Sequence, residues 1–122
     1  MPYIHLKASV SMDAEKKERV KTAFGKAITL MTGKTEEVLM VCIEPDADLW
    51  MGGIRLERGC YVAVEFFGPA ASEDLDALNA ELFRILEEQL GAEKNAVYIT
   101  YKQQEDWGAR GSCIHWTRIQ GK

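Results

Sequence analysis

Apolar and polar positions along the chain fall into two stretches that repeat the same order of elements. Residues 3–10 (YIHLKASV) alternate, with Ile4, Leu6 and Ala8 on one face and Tyr3, His5 and Lys7 on the other, the period of a half-buried strand. A helix follows, because Val20, Phe24, Ala27, Ile28 and Met31 recur at helical spacing. Ser11 or Asp13 can cap its start, and Gly33 ends it. Residues 38–45 (VLMVCIEP) then make a continuous apolar strand stopped by Pro45. The second stretch runs in the same order: a strand over 60–67 (CYVAVEFF), a break at Gly68-Pro69, a helix from about Ser72 to Leu90, Gly91, and a strand over 96–101 (AVYITY).

Shifting the first half by 58 positions lays Gly33 on Gly91, Val20 on Leu78, Phe24 on Leu82, Ala27 on Ile85 and Ile28 on Leu86, so the core stripes superimpose. A single unit of this length cannot bury a sheet face alone. Two together predict an α+β fold, a four-stranded mixed sheet with two helices on one face. The other face then has no helical cover. It is expected to be apolar on its central strands, through Leu39, Val41 and Ile43 or through Met40 and Cys42, and such a face meets another subunit.

Composition narrows the function classes. A chain of 122 residues, 47% hydrophobic, reads as one domain over residues 1–122 with a core of its own. Its net charge is −4 with Lys and Arg scattered among Asp and Glu, which argues against nucleic acid or a membrane surface as partner. Cys42, Cys60 and Cys113 are odd in number and far apart, the usage of reduced core thiols, and no CxxC or Cys/His metal spacing is present. With no charged n-region followed by an apolar h-region, and no run of membrane-spanning length, the expected location is the cytoplasm. His5 and His115 fall in strands without a nucleophile spaced to serve them, and Asp46 and Asp48 before Gly52-Gly53 are turn chemistry. Arg55, Arg58 and Arg110 read as surface charge.

The chemistry-bearing feature is Met1-Pro2. An acylated proline nitrogen is a tertiary amide with no basicity, whereas a free amino-terminal proline is a secondary amine that titrates near neutral pH. Removing Met1 therefore creates a base or nucleophile at the mouth of the first strand.

Met1-Pro2, Thr32-Gly33-Lys34, Pro45-Asp46, Gly52-Gly53, Phe67-Gly68 and Val97-Tyr98-Ile99, in this order and at these distances, resemble the tautomerase superfamily in its branch of macrophage migration inhibitory factor and D-dopachrome tautomerase. The similarity spans residues 2 to about 114. It implies a homotrimer whose sheets wrap a central barrel, with active sites at subunit boundaries and no cofactor. The implied activity is keto–enol tautomerisation of a small carboxylate-bearing carbonyl compound. Pro2 would be the general base, Lys34 the cation gripping the carboxylate, and Tyr98 a hydrogen-bond donor reaching in from the adjacent subunit. Phe67, Thr100 and Trp107 would line or hold the substrate. Thr100 stands where the best-known members carry Asn, Phe67 replaces a smaller aliphatic, and the segment 102–107 is shorter than in the mammalian proteins. Arg110 loosely resembles the arginines that relatives acting on halogenated or decarboxylating acids carry beside the proline. The alternative implied by the cytokine members is a trimeric binding protein with an idle pocket. The apolar pattern alone also fits ferredoxin-like regulatory domains, which have no use for Pro2.

Overall fold

The computed structural model describes residues 1–120; the last two residues of the domain read over 1–122 lie outside them. The alternation at the amino terminus becomes β1 (Pro2–Ala8), with Pro2, Ile4, Leu6 and Ala8 buried and Tyr3, His5 and Lys7 partly exposed. Asp13, not Ser11, caps α1 (Ala14–Ala27), its carboxylate accepting the Lys16 N–H at 2.7 Å. The helix ends before Gly33. Residues 28–30 tighten into a 3-10 turn, whose spacing keeps both Ile28 and Met31 in the core. Gly33 (φ 79°) lies beyond it in the turn that leads to Lys34.

A second 3-10 turn over residues 36–38 delays the next strand, β2 (Met40–Glu44). A small hairpin, β3 (Trp50–Met51) and β4 (Ile54–Arg55), turns on Gly52-Gly53. β5 (Cys60–Phe67) and α2 (Ser72–Leu90) have the expected bounds, and Gly91 closes α2 in the left-handed region at φ 66°, its N–H returning to the carbonyls of Leu86 and Glu87. β6 (Val97–Gln104) runs three residues past the expected strand. Another hairpin, β7 (Asp106–Ala109) and β8 (Ser112–His115), and a short helix, α3 (Trp116–Gln120), were not foreseen.

The sheet order is β2-β1-β5-β6, with β1 parallel to β2, β5 parallel to β6, and β1 antiparallel to β5. The two βαβ units therefore join along β1 and β5. The superimposed stripes all reach the core: Val20, Leu78, Phe24, Leu82, Ala27, Ile85, Ile28 and Leu86 are at most 1% exposed. They pack against Ile4, Leu6, Val62 and Val64 of the central strands. Burying these apolar side chains stabilises the layer by about 1.5–3 kcal/mol each before chain entropy is counted.

The open face differs from expectation. β2 is an edge strand, and its register with β1 sets Val41 and Ile43 beside Ile4 and Leu6 on the helix side. Met40, Cys42 and Glu44 share the open face with Tyr3, His5 and Lys7, together with Tyr61, Ala63 and Glu65 of β5 and Tyr98, Thr100 and Lys102 of β6. This face is mixed polar and aromatic. A continuous apolar run does not reveal which parity faces the core, and a shift of one residue exchanges the two sides.

Candidate active site

The antiparallel β1–β5 pairing brings the amino terminus against the end of β5, with Pro2 opposite Phe66. The Phe67 peptide is engaged on both sides. Its N–H donates to the Met1 carbonyl at 3.2 Å, and its carbonyl accepts from Lys34 Nζ at 3.0 Å. Lys34 reaches this point because the turn after α1 carries residue 34 across the mouth of the sheet. Burial pushes the Lys34 ammonium below its ordinary range. The Met1 amine is lowered too, first by burial and then by the Lys34 charge.

A cavity of about 930 Å³ opens here. Met1, Pro2, Tyr3, Glu37, Val38 and Met40 line one side; Trp107, Gly108, Ala109, Arg110 and Ile114 of the β7–β8 hairpin line the other. Trp107 and Ile114 are cross-strand partners, so one register places both. The hairpin is fixed by His115 Nδ1 paired with Asp106 Oδ1 at 2.7 Å and by the Trp116 N–H donating to the Glu105 carbonyl at 2.7 Å. The Trp116 ring meets Phe67 edge-on at 5.9 Å and lies against Gly68. A Cβ at 68 would come within 3.0 Å of that ring, and φ is 79°, so glycine is required twice over.

Of the residues expected at a site, Pro2 and Trp107 line the cavity, while Lys34 and the Phe67 peptide adjoin it through Met1 and are not among its lining residues. Tyr98 and Thr100 are elsewhere in their own chain. Tyr98 pairs with Tyr61 toward the far end of β5 and is 65% exposed, and Thr100 Oγ1 shares a 3.1 Å hydrogen bond with the Tyr61 hydroxyl. Arg55 pairs with Asp48 at 2.8 Å, and Arg58 donates to the Leu90 carbonyl at 3.1 Å, consistent with ordinary structural charge. Arg110 does not fit that reading, because it lines the cavity. It sits at φ 53° in a two-residue turn with Gly111 at φ 82°. A residue-Gly pair between two short alternating runs was the available hairpin signal.

A two-layer α+β unit built from paired βαβ halves, with Met1-Pro2 at the mouth of its sheet, defines the class. The chain belongs to the macrophage migration inhibitory factor family, whose model matches residues 1–114. No curated protein sequence matches it. Among solved structures it is similar to MIF2 of Leishmania major at 22% identity and TM-score 0.86, covering 93% of this chain and 97% of that one. It is similar as well to the homologue of Prochlorococcus marinus, at 24% identity, TM-score 0.79 and coverage of 91% and 97%. A third is Pt0534, solved after inactivation by 2-oxo-3-pentynoate, at 20% identity, TM-score 0.81 and coverage of 96% and 98%. At these identities the likeness carries the fold.

Proposed function

We propose that this protein is a cofactor-independent keto–enol tautomerase acting on a small carboxylate-bearing carbonyl compound, with Pro2 as general base once Met1 is removed. One observation carries the reading: the Met1 carbonyl occupies the Phe67 N–H beside Pro2 and Lys34. With Met1 in place the proline nitrogen is an amide. Its removal exposes a secondary amine in the cavity and frees the Phe67 N–H to receive a substrate oxygen, so base and oxygen-binding donor arise together. 2-Oxo-3-pentynoate, which inactivates Pt0534, is a small keto acid, the class proposed here.

A free α-amino group titrates at about 7.7–8.0. Burial and Lys34, which already lower the Met1 amine, act in the same direction on Pro2. The unprotonated nitrogen takes a proton from the carbon beside the keto group. The C–H pair becomes a carbon–carbon double bond, the carbonyl pair moves to oxygen, and that oxygen is then protonated. Lys34 and the Phe67 N–H hold the acid, while Trp107 walls the cavity against water.

The proposed assembly is a homotrimer in which the exposed Tyr98 and Thr100 complete a neighbour's cavity, Tyr98 donating to the enolate oxygen. Three free thiols are in keeping with the cytoplasm as its place. No described helix is long and apolar enough to cross a membrane.

The test compares processed protein with a form that retains Met1, each verified by intact mass, in the enolisation of phenylpyruvate. The processed form should turn over and the Met1-bearing form should not. Equal rates refute Pro2 as the base. No turnover above buffer in processed trimer assigns the pocket to the idle, cytokine-like binding alternative.

A further inference from the structure

On the open face of the sheet, away from the reaction just described, three different metal-ligating side chains converge. His5 of β1 is the register partner of Cys42 on β2, and Glu44 lies two residues farther along the same face of β2. The His5 Nε2, the Cys42 Sγ and a Glu44 carboxylate oxygen all lie within 4.8 Å of one another. His5 and Cys42 are half-buried and Glu44 is exposed, so the cluster is reachable from solvent in the chain. We propose that His5, Cys42 and Glu44 bind a divalent transition metal of the zinc class, clamping the edge strand β2 to β1.

The donor set selects the ion. One thiolate, one imidazole and one carboxylate form a borderline-soft set that suits zinc rather than magnesium or calcium, which favour oxygen alone. Metal–ligand bonds of about 2.0–2.3 Å in a tetrahedron put ligand atoms roughly 3.3–3.8 Å apart. Ligand atoms that already lie within 4.8 Å of one another need to close by only about 1 Å to reach that spacing. Three protein ligands leave a fourth position for water.

His5 Nε2 and Glu44 Oε1 are now 2.8 Å apart, joined by a hydrogen bond. The metal takes the place of the proton between them, the imidazole shifting to its Nδ1–H tautomer, and the Cys42 thiol releases its proton to solvent. Cys/His spacing along the chain gives no sign of the cluster, because residues 5, 42 and 44 are joined by strand register and not by sequence.

Cobalt(II) is the probe, titrated into reduced full-length protein in its native assembly and followed by absorbance. One cobalt per chain should bind with a thiolate-to-cobalt charge-transfer band, and zinc should displace it. Cys42→Ser should abolish the band, while Cys113→Ser should keep it. His5→Gln and Glu44→Gln should each weaken binding by more than the roughly tenfold that loss of an outer-shell partner costs. As a measurement independent of any variant's folding, zinc should protect Cys42 of the wild type, and not Cys113, from alkylation read by peptide mass. No cobalt uptake, a band that survives Cys42→Ser, affinity unchanged in both His5→Gln and Glu44→Gln, or no protection of Cys42 would each overturn the site.

Discussion

Where Ala8 faces Cys60, the sheet ends in loops tied to one another: Ser9 N–H donates to the Gly59 carbonyl at 2.9 Å, and Gly59 N–H donates to Ser9 Oγ at 2.7 Å. Ala47 N–H reaches the Ala8 carbonyl at 2.9 Å, and Arg58 closes the end of α2. Where Pro2 faces Phe66, the same pair of strands ends in an open cavity, with a lysine and an amine both held below their usual ranges and an arginine in a left-handed turn. The backbone pairing is alike at the two ends; the use of polar groups is not. At the closed end they satisfy one another and hold the fold. At the open end Lys34 donates to the Phe67 carbonyl while Arg110 and Glu37 line open volume, a placement better suited to binding than to holding the fold.

Changes at the open end should move rates, and changes elsewhere should move unfolding. Blocking the Pro2 amine by retaining Met1 has the largest effect, a loss of about 10²–10⁴ in kcat, the usual contribution of a general base. Pro2→Gly keeps a primary amine and should retain a fraction of the rate. In the layer between the ends, Leu82→Ala should cost about 2–5 kcal/mol in urea unfolding, because Leu82 is fully buried in the core.

Back at the open end, Lys34→Ala should lower kcat/KM for keto acids by the equivalent of about 1.5–3 kcal/mol, and for their esters by less, since the ester has no carboxylate to grip. Equal losses on acid and ester would remove the lysine from its role. At the closed end, Ser9→Ala leaves the Gly59 N–H without its acceptor and should cost about 1–2 kcal/mol of stability with kcat unchanged. The smallest effect is a ranking of thiols in the absence of metal. Exposed Cys113 should alkylate first and Cys42 next, with Cys60 last because burial pushes its thiol up to about 12.

The same contrast explains what could be read from residue order. Core stripes repeat a period set by the helix, so the buried faces of α1 and α2 and the bounds of β5 and α2 followed from spacing. Pro2 was legible because its chemistry depends on position in the chain alone. Lys34, Phe67 and Trp107 had no signal beyond resemblance, for what gathers them is a turn after a helix and a hairpin after a strand. In the sequence Arg110 reads as surface charge, because its side of the cavity exists only once β7 and β8 pair. An unbroken apolar run carries no parity, so the sequence leaves open which face of β2 meets the core, and its place at the edge of the sheet rather than the centre is decided by pairing with β1.

The most direct measurement of the central claim is the rate of phenylpyruvate enolisation by processed protein between about pH 5 and pH 9, with Lys34→Ala run beside it. The base acts only when unprotonated, so the rate is low in acid and rises as pH passes the amine's pKa. Burial and the neighbouring cation place that rise below the roughly 7.7–8.0 of a free α-amino group, and removing Lys34 should move it upward. A rise at or above the free-amine value, or a profile that Lys34→Ala leaves in place, would contradict an amine tuned by this site.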